Sequence, residues 1–193
     1  MTRNLYIIAG CNGAGKTTAS YSLLPKILNC KEFVNADEIA RGLSPFRPEG
    51  VSFEAGRLML NRIDHLLSMN EDFAFETTLS TRSYKNKVLK AQALGYNVTL
   101  VFFWLKNIEL AKERVKLRVM EGGHNIAEDV IERRYINGIK NLFKIYIPIC
   151  NDWIIVDNSK ADYQVIAVGI FNETVEVLNQ KKLDELKRIS NGN

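Results

Sequence analysis

The segment Gly10-Cys11-Asn12-Gly13-Ala14-Gly15-Lys16-Thr17 limits what this chain can fold into more than any other stretch of it. It follows a short apolar run, residues 5–9, that reads as a buried parallel strand, and it leads into residues 17–28, which read as a helix. The eight residues fit GxxxxGK[ST] without exception, and a chance match in a chain of this length is on the order of one per cent from average residue frequencies. The chemistry follows from residue type. Glycines carry no Cβ, so successive backbone N–H groups can curl around phosphate oxygens. A helix starting near Gly15 adds the positive end of its dipole. Lys16 can reach the β- and γ-phosphates, and the Thr17 hydroxyl can bind Mg²⁺. Asn12, Gly13, Ala14, Gly15, Lys16, Thr17 and Thr18 are therefore the expected nucleotide-binding set, for ATP or GTP with Mg²⁺. Cys11 occupies a variable position, with a redox role as the alternative to a passive one.

The rest of the chain alternates in the way such a loop requires. Short apolar runs at 32–35, 73–75, 98–105 and 153–156 read as further strands, and 98–105, the strongest and nearly all apolar, is expected to be central. Helical spacing recurs at 51–69, 83–94, 108–121 and 127–142, with a Pro- and Gly-rich loop at 44–50. Residues 163–169 and 174–178 read as an edge hairpin before a polar terminal helix. Strands alternating with helices imply a parallel sheet covered on both faces. The expectation is an α/β fold of the P-loop small-kinase type, with a five-stranded, mostly parallel sheet. Residues 1–193 form a single domain, with a helical lid at about 108–142 and a C-terminal hairpin and helix at about 163–189.

Composition narrows the setting. The 193 residues are 46% hydrophobic and 25% charged, ordinary values for a globular chain that buries its own core. A net charge of +4 suits an anionic ligand but is too small to argue for nucleic acid. Three widely spaced cysteines without a CxxC pair argue against a zinc site and a disulfide framework. No stretch approaches the roughly 18–20 apolar residues of a membrane span, so the cytoplasm is the expected location.

A phosphate loop does not say where the γ-phosphate goes. The Asn/Thr-Lys-x-Asp base-reading segment of GTP switches and the Leu-Ser-Gly-Gly-like signature of transporter ATPases are both absent. Two strand ends supply carboxylates instead. Asp37 follows the second strand, where it can act as general base toward an acceptor hydroxyl, or as the N-cap of a short helix, or both. Glu76 ends the third strand, where it can orient Mg²⁺ or serve as a structural carboxylate. Arg114, Arg118, Arg133 and Arg134 surround Gly122, Gly123 and His124. Arginine forks there can stabilise charge on a transferring phosphoryl group under a lid hinged at the glycines. The alternative is a solvated face paired with Glu113, Glu121 and Glu132. His124 reads as a hydrogen-bonded loop histidine rather than a catalyst.

The ordered set GCNGAGKTT, FVNADEIARGLSP, EAGRLML, FAFETTLSTRSY, RVKLRVMEGGHNI, ERRY and IIVDNS resembles the zeta-toxin-like kinases, especially the stand-alone branch described as predicted ATPases or UDP-N-acetylglucosamine kinase-like proteins. The resemblance covers residues 4–160. It implies a P-loop kinase with a five-stranded parallel core that transfers phosphate from ATP or GTP to the sugar 3′-hydroxyl of UDP-N-acetylglucosamine. Carried over by motif, Asp37 matches the base, while Lys16 and Thr17 match the phosphate lysine and the Mg²⁺ ligand. Arg118 and Arg134 look like the lid arginines. Glu76, Thr77 and Thr78 match the acidic-hydroxyl segment at acceptor and metal, and Asn158 resembles a position close to the adenine base. The run Thr77-Thr78-Leu79-Ser80 stands where better-studied toxins carry a glycine-containing segment. Arg57 and Arg82 can meet an anionic acceptor or form surface ion pairs.

The leading expectation is thus Mg²⁺-dependent transfer of the ATP γ-phosphate to a small hydroxylated acceptor such as a nucleotide sugar. Two others stand beside it. A polynucleotide or RNA-end kinase would use Arg41, Arg47, Arg57 and Arg62 with Phe46 and Phe53. A nucleotide-dependent binding module would show its partner an open or closed lid. An antitoxin is a partner that the resemblance implies for a toxin, though not for a housekeeping or defence kinase.

Overall fold

The computed structural model describes residues 3–26, 28–123 and 125–192. The phosphate-loop strand β1 (Arg3–Gly10) leads to α1 (Lys16–Lys26), then β2 (Glu32–Val34) and α2 (Ala36–Leu43). A 3₁₀ turn (Pro48–Val51) opens α3 (Ser52–Met69), which is followed by β3 (Phe73–Thr77) and α4 (Lys85–Ala93). Next come β4 (Tyr96–Trp104), α5 (Ile108–Met120) and α6 (Glu128–Asn141), which runs on into a π-helical turn (Leu142–Tyr146). The chain ends with β5 (Asp152–Asp157), β6 (Gln164–Ile170), β7 (Glu173–Val177) and α7 (Gln180–Asn191).

These strands form one sheet in the order β2-β3-β1-β4-β5-β6-β7. The first five in that order are parallel, while β6 and β7 run antiparallel at one edge. The sheet therefore has seven strands, not the five expected. The physical reason is that the hairpin does not sit apart: Asp152 to Asp157 pair with Ile170 to Gln164, so β5 gains a neighbour where its backbone N–H and C=O groups would face solvent. In β4, alternate residues point to opposite faces, and both Leu100, Phe102 and Trp104 and their alternates Val101 and Phe103 are buried. Both faces of the central sheet are covered, which explains a strand that reads as a continuous apolar run.

The order also locates the site. From β1 the chain builds β2 and β3 on one side, then crosses to β4 and β5 on the other. Ligands in open α/β sheets bind at such a switch point, outside the carboxyl ends of the strands. Along that edge lie, in order, the end of β2 with Asp37, the end of β3 with Glu76, the phosphate loop after β1, and Asn158 after β5. At the far side, α7 packs on α6 and β6 with Leu183 and Leu186 buried, and Lys182 Nζ reaches Asp157 Oδ2 at 2.6 Å.

Candidate active site

The phosphate loop is set by backbone conformation. Gly10, Gly13 and Gly15 take φ values of +142°, +78° and +79°, which L side chains rarely adopt. Space enforces the same choice at Gly15, where a Cβ would lie 2.5 Å from Asn158 Nδ2. That amide donates to the Ala14 carbonyl at 2.8 Å, so Asn158 clamps the loop from the end of β5. Lys16 is buried, and its ammonium donates to the Cys11 carbonyl at 2.9 Å and lies 3.5 Å from Glu76 Oε1. Cys11 is buried too. Burial pushes its thiol up to about 11, against the opposing pull of Lys16 and Arg114, so at neutral pH it is not the thiolate that redox chemistry needs. Thr18 is exposed on α1.

The two carboxylates sit in different settings. Glu76 accepts from the Thr17 hydroxyl at 2.7 Å and from Asn35 Nδ2 at 2.9 Å, both on Oε2. Asn35 is buried, and its Oδ1 accepts from the backbone N–H groups of Asp37 (2.8 Å) and Glu38 (3.4 Å). Asn35 is therefore the N-cap of α2, with the extended backbone such a residue takes. This corrects the capping alternative for Asp37, which lies inside the first turn. The Asp37 carboxylate is half-buried and forms no hydrogen bond or ion pair among the described residues. Its charge is felt by Arg134. Burial pushes the Arg134 guanidinium below its ordinary value, Asp37 opposes this, and Arg133 adds to it.

Arg134 Nη1 donates to Asn12 Oδ1 at 3.1 Å, which brings α6 onto the phosphate loop. Arg114 packs against Gly13 and donates from Nη2 to the Ser159 carbonyl at 3.3 Å. Arg118 is half-buried, with Nε and Nη2 out of solvent and without a hydrogen-bond partner among the described residues. Arg133 is exposed. The alternative of a salt-bridged face does not hold among the described residues: none of these four arginines pairs with Glu113, Glu121 or Glu132, and Glu132 lies 3.8 Å from Lys112 instead. His124 lies outside the described residues.

Beyond Glu76, the hydroxyl run folds on itself. Thr77 Oγ1 accepts from the Leu79 N–H at 3.0 Å, and the Thr78 and Ser80 hydroxyls meet at 2.9 Å. Arg57 and Arg82 are exposed, and no hydrogen bond or ion pair joins either to the phosphate loop among the described residues. Arg57 borders an open hollow with Glu54 and Asn61 on the outer side of α3. As for a cation, Thr17 and Glu76 offer hard oxygen donors within 2.7 Å of each other beside the phosphate loop. Mg²⁺ takes such a set, one carboxylate and a hydroxyl completed by phosphate oxygens and water.

Asn35, Arg114 and the α6 residues that hold the hydroxyl run were not singled out from sequence for these contacts. Only Asn35 carried a local signal, an Asn at a strand end followed by two acidic residues.

Comparison with known proteins gives the fold and the family. An uncharacterized protein of Haemophilus influenzae is 29% identical over 135 residues, which is 70% of this chain and 94% of that protein. The AvrRxo1-ORF1:AvrRxo1-ORF2 complex, solved with sulphate ions, superposes with a TM-score of 0.76 at 17% identity over 96% of this chain. This chain spans 63% of that one. The PezAT chromosomal toxin–antitoxin system of Streptococcus pneumoniae gives a TM-score of 0.64 at 15% identity, covering 99% of this chain and 87% of that one. At these identities the two structures share the fold. The family model of the zeta toxin matches residues 2–163, from the phosphate-loop strand through Asn158, and the chain belongs to the zeta toxin family.

Proposed function

We propose that this protein is a kinase that transfers the γ-phosphoryl group of ATP to a hydroxyl of a nucleotide sugar, with UDP-N-acetylglucosamine the first acceptor to test. The observation that carries the reading is the junction of three strand ends: Thr17 and Asn35 both donate to Glu76, and Asn35 stands two residues before Asp37, whose carboxylate has no hydrogen bond or ion pair among the described residues. A free carboxylate beside the phosphate loop can take the proton of an incoming hydroxyl. An AvrRxo1-ORF1:-ORF2 complex solved with ATP has the same fold at a TM-score of 0.75, which supports ATP as the donor.

In this reading the loop N–H groups and Lys16 hold the β- and γ-phosphates. Thr17 and Glu76 would hold Mg²⁺, which supplies charge neutralisation on the phosphate oxygens. Asp37 takes the proton of the acceptor hydroxyl as its oxygen bonds to the γ-phosphorus, and the bond from that phosphorus to the bridging oxygen of ADP breaks. Arg134, hydrogen-bonded to Asn12 and within the field of Asp37, stabilises the charge spread over the equatorial oxygens, with Arg118 as the second candidate for that role. Asn158 holds the loop at the side where the base would lie. An antitoxin is the partner that this reading calls for where the kinase is a toxin, and not where it is a housekeeping or defence kinase.

The test is mass spectrometry of a metabolite extract incubated with the protein, ATP and Mg²⁺, beside Asp37→Asn. A single phosphoryl gain on a nucleotide sugar, absent with the variant, is the expected result. No new phosphorylated species with ATP left intact would overturn the kinase reading in favour of a binding module. A second acceptor class has one observation behind it. Phe46 and Phe53 are 97% and 83% exposed on the segment that carries Arg47 and Arg57, a pattern that suits stacking of single-stranded nucleic acid. Salt-sensitive binding of oligonucleotides, followed by end phosphorylation, would favour that acceptor.

A further inference from the structure

One stripe of α6 joins the phosphate loop to the hydroxyl run. Arg134, Gly138 and Asn141 recur at intervals of four and three residues, so they lie on one face of the helix. Arg134 meets Asn12 at 3.1 Å. One turn on, Gly138 lies against the Thr78 carbonyl, and a Cβ there would come within 2.7 Å of that oxygen. The next turn brings Asn141, buried, whose Nδ2 donates to the Leu79 carbonyl at 2.7 Å. The helix then widens into the π turn Leu142–Tyr146, and the Tyr146 hydroxyl donates to the Thr81 carbonyl at 2.9 Å. Three carbonyls of the segment 78–81 are thus met by one helix.

That segment needs to be held. Leu79 is fully buried and sits at φ +56°, a left-handed conformation that a bulky side chain avoids. Its N–H is taken by Thr77 Oγ1, and the turn it makes brings the Thr78 and Ser80 hydroxyls together. Backbone strain of this kind persists where surrounding contacts over-determine it, and it gathers where geometry is used. A π turn within a helix is likewise uncommon and recurs at functional sites. Here it follows directly after Asn141.

We propose that Asn141 is a positioning residue for the acceptor. With Gly138 and Tyr146 it holds residues 77–81 at a set distance from the phosphate loop, so α6 determines the gap that an acceptor hydroxyl must cross. The proposal rests on the kinase reading above. It assigns acceptor selection to a buried amide that touches neither substrate, and it separates acceptor handling from nucleotide binding.

Two variants test it. Asn141→Leu keeps the volume and removes the donor, while Tyr146→Phe removes only the hydroxyl and leaves the ring in the core. Affinity for the fluorescent nucleotide mant-ATP is expected to stay within about twofold of the parent in both. Amide exchange at 78–81 is expected to quicken, with the phosphate-loop amides unchanged. With the metabolite extract as acceptor source, half-maximal rate in Asn141→Leu is expected at about tenfold higher extract concentration, with the ATP KM unchanged. Tyr146→Phe shifts the same quantity less, and it carries the test if Asn141→Leu does not fold. Equal loss of mant-ATP binding and transfer would make Asn141 merely structural. Parent-like acceptor dependence despite faster exchange at 78–81 would overturn the assignment alone. A parent protein that yields no product overturns the kinase reading, and the assignment falls with it.

Discussion

The phosphate loop and the proposed acceptor side of the site meet at Glu76, yet they are built differently. On the nucleotide side, the eight consecutive residues Gly10–Thr17 make the loop, and most of its shape is set by backbone. Gly10, Gly13 and Gly15 hold conformations that other residues rarely adopt, and Asn158 on the Ala14 carbonyl and Arg134 on Asn12 tie the loop to distant parts of the chain. On the acceptor side, the parts come from β2, α2, β3 and α6, and each is positioned by a side chain. Asn35 orients both the start of α2 and Glu76, and Asn141 holds Leu79 across 62 residues of sequence. Backbone recognition of phosphate serves any nucleotide enzyme. Side-chain placement is where one acceptor is told from another, so the two sides should respond to mutation independently.

The sharpest way to break that separation is a pair of substitutions. Asp37→Asn is expected to lower transfer by about 10²–10⁴, the usual worth of a general base, and to leave mant-ATP affinity as it was. Lys16→Ala is expected to cost about 10²–10³ in transfer and to weaken mant-ATP binding as well. Titrating mant-ATP into both, and assaying both on the same extract, gives the contrast directly. If Asp37→Asn also loses the nucleotide, the two sides are one unit and the separation fails.

The same division decides how much could be read from sequence. The phosphate loop was legible because its chemistry lies in a contiguous run with a fixed spacing. The five parallel strands were legible because each is a short apolar run between helical stretches. The hairpin was legible as a hairpin, but its membership of the sheet was not, since the pairing of Asp152 with Ile170 follows from where β5 leaves an open edge. Asp37 read as a general base, with a cap as the alternative from its place near a helix start, whereas two residues earlier Asn35 has the extended backbone and the side-chain oxygen that capping needs. Asn141 and Tyr146 gave no signal. In a helix an Asn and a Tyr look like surface and core residues, and only tertiary packing turns them toward the carbonyls of Leu79 and Thr81.

A finer test lies at Asn35, where stability and chemistry can be told apart. Asn35→Ala removes both the cap and the donor to Glu76, and is expected to cost about 0.5–2 kcal/mol of stability. Asn35→Ser restores a capping oxygen but is too short to replace the amide at Glu76, so it should recover most of the melting temperature. If Ser also restores the Mg²⁺ dependence of mant-ATP binding, the Asn35–Glu76 contact plays no part in setting that carboxylate.

The smallest effect is expected furthest from the acceptor, at the tie between α7 and β5. Burial pushes the Asp157 carboxyl up, but the Lys182 ammonium and the Ser159 hydroxyl and N–H more than offset this and hold it below the usual carboxylate range. A carboxylate depressed on folding stabilises the native state above its unfolded value, and that contribution fades as pH falls through the depressed one. Lys182→Met should therefore lower stability at neutral pH, by no more than about 1 kcal/mol for a partly exposed pair. The gap from the parent should close under acid conditions. Thermal melts of the two proteins from pH 7 downward measure it. Because Asp157 immediately precedes Asn158, mant-ATP affinity in the same variant asks a second question. A loss there, with transfer per bound nucleotide unchanged, would mean that the C-terminal helix supports the nucleotide side alone, as a site built in two independent parts requires.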